Sequence, residues 1–256
     1  MSIQIKDKVA LVTGGNRGIG KTIVEELLTE GAAKVYLAVR DIESTNDLVS
    51  RYGDRVQPVH IDVANGDTVK AAASIANDVN IVVNNAGVLE VAQPLDEHAE
   101  DAFKRELNIN ALGLIRIAQA FVPVIEKNSV NNGVEGETKG AIVQLNSVAS
   151  IKNFAALTTY SASKAASYSI TQGLKETLAQ KDIAVLSVHP GPIATDMASK
   201  AGMDGLGEPP QVVAKAIVDG LKNGTFHVFP DNMAKEFEAG YASYATNVIE
   251  PVMVED

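Results

Sequence analysis

Six short runs rich in β-branched and aliphatic residues recur along the chain: KVALVT (8–13), KVYLAV (34–39), VQPVHI (56–61), NIVVN (80–84), AIVQLNS (141–147) and IAVLSVH (183–189). Amphipathic stretches of helical length separate them. A strand that is apolar on both faces has to be covered on both faces, so these runs belong to a parallel sheet with helices above and below. The pattern specifies a doubly wound α/β architecture. Helices are expected over 18–30, 43–51, 66–77, 97–126, 158–180 and 210–222, then a weaker strand, TFHVF (225–229), and a C-terminal tail over 231–256. The alternation is not interrupted by a linker, and 256 residues suit one α/β domain.

Composition narrows the functions available. The chain has no cysteine, which excludes disulfides, zinc–thiolate sites and thiol nucleophiles. A net charge of −10 without a lysine/arginine cluster disfavours nucleic acid and anionic lipid as partners. The histidines at 60, 98, 189 and 227 lack ligand spacing, so no catalytic metal is expected. The N-terminus turns strand-like at once, without a secretory cleavage pattern, and a cytoplasmic location is expected. The segment INALGLIRIAQAFVPVI (109–125) is interrupted by Arg116 and Gln119 and reads as short of a membrane span. It is apolar around most of its circumference, which predicts a homodimer or homotetramer formed through it and the helix at 158–180. Two breaks stand out. NSVNNGVEGETKG (128–140) reads as a surface excursion, and PIATDMASKAGMDGLGEPP (192–210) as a candidate lid, with Gly202, Gly205 and Gly207 able to absorb backbone change.

The first strand runs straight into TGGNRGIG. Gly14 would permit a tight turn, Gly18 would let backbone approach a diphosphate, and Gly20 would allow close packing of the next helix, whose free amides favour phosphate. Three glycines alone also fit an ordinary turn, but their place after the first strand points to a Rossmann-type nucleotide site. In the NAD version an acidic residue about twenty positions further on binds the adenosine ribose. Here that position is Arg40, which with Arg17 suits a 2′-phosphate and points to NADP(H). Both arginines could instead be solvated loop charges, and Asp41 could pair with Arg40.

The run YSASK (160–164) places Lys164 one helical turn after Tyr160, on the same face. A free phenol has a pKa of about 10. A neighbouring ammonium is expected to lower it towards the range where a general acid/base works. Ser147, at the end of the fifth strand, could hold a substrate oxygen against Tyr160.

With these pieces in order, the sequence resembles the short-chain dehydrogenase/reductase family over nearly its whole length. The matching segments are TGGNRGIG, Asp62, NNAG (84–87), Asn110 in NINALG, Ser147 in LNSVAS, YSASK and HPGPIAT (189–195). The resemblance implies Tyr160 as proton donor or acceptor and Ser147 as the group that orients the carbonyl. It implies Lys164 as the residue that tunes Tyr160 and binds the nicotinamide ribose, and Asn110 as holder of a relay water. It further implies that Asn16, Arg17 and Ile19 join the three glycines in binding the cofactor, Asp62 and Val63 flank the adenine, and Asn85, Ala86 and Gly87 form the cofactor floor. Pro190, Gly191, Ile193 and Thr195 would hold the nicotinamide end. The implied activity is NADP(H)-dependent interconversion of a carbonyl compound and an alcohol. A nucleotide-binding sensor without turnover is the alternative from another class, and isomerase or dehydratase chemistry a second enzymatic one. Val148, Asn153, Phe154, Met197 and Met203 are the pocket candidates, and methionines suit a hydrophobic ketone or aldehyde, although they could equally just pack the lid.

Overall fold

The computed structural model describes residues 2–128, 138–203 and 205–244. One sheet contains β1 (Val9–Thr13), β2 (Lys34–Val39), β3 (Val56–His60), β4 (Ile81–Asn84), β5 (Gly140–Leu145), β6 (Ile183–Val188) and β7 (His227–Val228) in the order β3-β2-β1-β4-β5-β6-β7. Every pairing is parallel. The strand order reverses between β1 and β4, and in such sheets ligands bind at the carboxyl ends of the strands beside that point.

Strand residues alternate between two cores. Val12, Leu37, Val83 and Val143 point to the side covered by α1 (Gly18–Thr29) and α8 (Gln211–Asn223). Leu11, Tyr36, Val82 and Ile142 point to the side covered by α3 (Gly66–Ile75) and by α5 (Leu112–Lys127), with Leu178 of α6 (Thr158–Ala179) added. Edge strand β3 is covered less completely: Val56 is buried on one side of the sheet and Val59 on the other, while Gln57 and His60 are exposed. The stretch expected as one helix over 43–51 is a tight turn, Ile42–Thr45, followed by α2 (Asn46–Tyr52).

The helix expected over 97–126 is α4 (Ala99–Glu106) joined to α5 through a π-helical turn, Leu107–Ala111. Length and apolarity give Ala99–Lys127 the character of a membrane span, contrary to the sequence expectation. The reason is a different use of the same property: Leu114, Ile117, Phe121 and Ile125 are fully buried in the core, and the helix is a core helix. The weak strand at 225–229 contracts to the two residues of β7. The lid segment contains a short helix, α7 (Asp196–Lys200), and the tail contains α9 (Asn232–Tyr244). Most of the excursion, 129–137, and the end of the tail, 245–256, lie outside the described residues.

Candidate active site

The carboxyl ends of β1, β4, β5 and β6 open onto a cavity of about 460 Å³. At one end lies the glycine turn. Gly14 has φ 66°, a conformation that disfavours a side chain. Gly20 is tighter still: a Cβ there would collide with the Gly14 carbonyl oxygen, so the first turn of α1 presses on the loop that precedes it. Thr13 laces this turn to the segment after β4, because its hydroxyl accepts from the amides of Asn85 and Ala86, both at 2.9 Å. The N-cap residue of α1, Arg17, places no side-chain acceptor on the helix amides.

All the residues expected at the nucleotide end line this cavity: Gly14, Asn16, Arg17, Gly18, Ile19, Gly20, Arg40, Asp62, Val63, Asn85, Ala86, Gly87, Pro190, Gly191, Ile193 and Thr195. Asp41 does not pair with Arg40; its carboxylate accepts from the Glu43 amide at 3.1 Å. Arg17 reaches across to Asp196 of α7 at 3.0 Å, an exposed ion pair between the glycine turn and the lid. Ser44, which no motif marked, lines the cavity and accepts from Asn16 Nδ2 at 3.0 Å.

Tyr160, Lys164 and Ser147 converge on the other end. Lys164 Nζ lies 5.8 Å from the centre of the Tyr160 ring and donates to the Leu145 carbonyl at 2.7 Å. The expected lowering of the Tyr160 pKa is not what this environment gives. Burial pushes the phenol up to about 12, opposed by the Ser147 hydroxyl and reinforced by the charge of Glu106. Burial also brings Lys164 down to about 8, with Glu106 opposing. Desolvation of two groups in one apolar pocket therefore outweighs their mutual influence.

Ser147 is held from behind. Its hydroxyl accepts from the Ala149 amide at 3.1 Å and donates to the Pro190 carbonyl at 3.3 Å. Under it sits His189, fully buried, with Nδ1 against Ser150 Oγ at 2.9 Å and the Ser147 carbonyl at 3.2 Å, and Nε2 against Ser187 Oγ at 2.7 Å. Burial holds its pKa down to about 3, so the imidazole is neutral. Asn110 sits just behind the cavity lining, where its Oδ1 and Lys164 Nζ both flank Gly87. Its side chain accepts from the Val88 amide and donates to the Val88 carbonyl and Ser163 Oγ, each at 2.9 Å, fastening the segment after β4 to α6.

Of the pocket candidates, Val148, Phe154, Met197 and Met203 line the cavity, whereas Asn153 is exposed in the turn that follows Val148–Ser150. Leu89, Leu157 and Met233 line it without having been anticipated. Met233 arrives through Asp231, a buried carboxylate whose Oδ2 accepts from the Gly191 amide at 2.7 Å and whose Oδ1 accepts from the Ala234 amide at 3.0 Å. The start of α9 is thereby pinned to the turn after β6.

The short chain dehydrogenase family model matches residues 8–205. The chain belongs to the short-chain dehydrogenase family. An uncharacterized oxidoreductase of Staphylococcus aureus (strain USA300) is 32% identical over 223 residues, covering 85% of this chain and 92% of its own. A short chain dehydrogenase from Burkholderia cenocepacia J2315, solved in complex with NADP, superposes with a TM-score of 0.84 at 33% identity, covering 97% of this chain and all of the other. A Burkholderia phymatum member in complex with NAD shares the fold, with a TM-score of 0.79 at 20% identity, covering 98% and 100%. The residues of this short-chain dehydrogenase fit a dinucleotide on their own terms. A Cβ at Gly87 would fall 3.0 Å from Asn110 Oδ1 and 3.7 Å from Lys164 Nζ, so bare backbone keeps the cavity open beside the lysine.

Proposed function

We propose that this dehydrogenase is a cytosolic enzyme that interconverts a hydrophobic ketone or aldehyde and its alcohol, with NADP(H) as cofactor. The observation that carries the reading is one continuous cavity with Gly14, Arg17 and Arg40 at one end and Ser147, Tyr160 and Lys164 at the other. Two guanidinium groups beside the glycine turn favour a 2′-phosphate over a bare ribose. Bound NADPH would supply a hydride to the carbonyl carbon.

The chain's own residues do the rest by position and charge. Ser147 Oγ, steadied by the Pro190 carbonyl and the Ala149 amide, orients the substrate oxygen. Tyr160 Oη keeps its proton at neutral pH because burial holds the phenol up at about 12, which suits donation to that oxygen in the reductive direction. The Lys164 ammonium then faces the negative charge left on Tyr160. Phe154, Met197 and Met203 offer an adaptable apolar wall for the remainder of the substrate.

A carbonyl panel assayed with each reduced nucleotide tests the reading. NADPH is expected to be consumed and to outperform NADH, and equal efficiency with both would remove the 2′-phosphate assignment. Tyr160→Phe is expected to lower turnover by about 10²–10⁴-fold with NADPH affinity unchanged; a fully active variant would remove Tyr160 from the mechanism. The same reading includes self-association through α5 and α6, where Leu112 is left 40% exposed. Light scattering that finds a monomer would remove that part.

A further inference from the structure

Glu106 ends α4 and has no solvent exposure. Its Oε1 accepts from the Glu90 amide at 2.8 Å. Its Oε2 is buried and accepts no full hydrogen bond from the protein. Burial raises the Glu106 pKa above the ordinary carboxyl value, opposed by the Glu90 amide and by the Thr159 hydroxyl, which stops short of a complete bond. A buried carboxylate left in this condition costs several kcal/mol unless it takes up a proton or faces a cation.

The cation is close by. Thr159, Tyr160 and Lys164 follow one another on α6, which packs against α4 and the π-helical turn. Lys164 is itself buried, at 5% exposure, with Nζ fixed on the Leu145 carbonyl. The other charged group acting on Glu106 is Glu90, from the segment after β4, whose carboxylate is paired with Arg105 at 2.7 Å. Tyr160 faces it from α6 as a neutral phenol. Among these groups only Lys164 can compensate the Glu106 charge.

We propose that Glu106 is a positioning residue for the catalytic pair, a buried carboxylate whose negative charge holds Lys164 in its ammonium form beside Tyr160. The inference rests on the hydride-transfer reading above, in which Lys164 works as a cation. Burial alone drives Lys164 towards the neutral amine, and Glu106 opposes that drive. The same charge adds to the burial that holds the proton on Tyr160.

Glu106→Gln tests this, since the amide retains an acceptor for Glu90 and removes the charge. The first readout needs no nucleotide: carbon-13 NMR of lysine Cε, with the Lys164 signal identified by its loss in Lys164→Met. Its titration midpoint, expected near 8 in the natural protein, should fall by roughly 0.5–1 pH unit in Glu106→Gln. An unmoved midpoint overturns the proposal. The second readout is the alkaline limb of kcat/KM for carbonyl reduction, which should move down by the same amount in Glu106→Gln and stay in place in Glu106→Asp. A uniform loss of rate with the limb unmoved marks a merely structural role and also overturns it. If Glu106→Gln does not fold, carbon-13 NMR of glutamate Cδ in the natural protein decides: a Glu106 carboxyl still protonated at pH 8 overturns the proposal, and an ionised one supports it. A shifted Lys164 midpoint in a protein that reduces no carbonyl compound would instead overturn the hydride-transfer reading and leave the charge coupling standing.

Discussion

The two ends of the cavity are held by different kinds of force. The nucleotide end is built from backbone: the Gly14 turn, the first turn of α1 pressed onto it, and amides laced to the Thr13 hydroxyl. The catalytic end is built from titratable side chains, with Lys164, Glu106 and His189 buried and Tyr160 half-buried in front of them. Backbone geometry is indifferent to pH and intolerant of added atoms. Buried ionisable groups tolerate isosteric change and respond to pH.

Acid should separate the two ends most sharply. His189 is neutral in the folded protein, with a pKa held at about 3 against 6.5 when unfolded. The unfolded chain therefore binds more protons as pH falls from 6.5 towards 3, and stability present above that window is progressively lost within it. The full loss is about 5 kcal/mol. Denaturant melts across this range should show it, and His189→Asn should flatten the slope. An unchanged slope would mean that the imidazole does not carry the acid sensitivity of the catalytic end.

Gly20→Ala probes the other end. The added methyl meets backbone, which cannot move aside as a side-chain tip can, and about 3 kcal/mol of stability and most NADPH affinity should be lost. The acid slope set by His189 should persist in this variant. Calorimetry with and without NADPH would check both, and unimpaired nucleotide binding would break the contrast between the ends. The smallest effect belongs to Met203→Ala. Removing part of the apolar wall should raise KM for a bulky hydrophobic carbonyl compound by about fivefold, roughly 1 kcal/mol, and leave NADPH affinity alone. A change in nucleotide affinity of similar size would show that the lid serves both ends.

The backbone end was the more legible in the sequence. Strand runs announce a sheet through apolar residues on both faces, and a glycine turn announces itself because only glycine fits Gly14 and Gly20. The i, i+4 spacing likewise placed Tyr160 and Lys164 on one face. It could not give their proton affinities, because those depend on burial by elements distant in the chain and on Glu106, which sits in a helix with no motif to mark it. Asn153 was misplaced for a related reason: the turn after Val148–Ser150 leaves it in solvent. Met233 was out of reach because it depends on where α9 docks.

That docking links substrate choice to the rest of the molecule. One carboxylate, Asp231, anchors both the turn at Gly191 and the start of α9. Shifting or trimming the helix to admit a larger molecule would disturb the neighbouring turn as well, so new specificities are more accessible by exchanging Met233 in place than by moving the element that carries it.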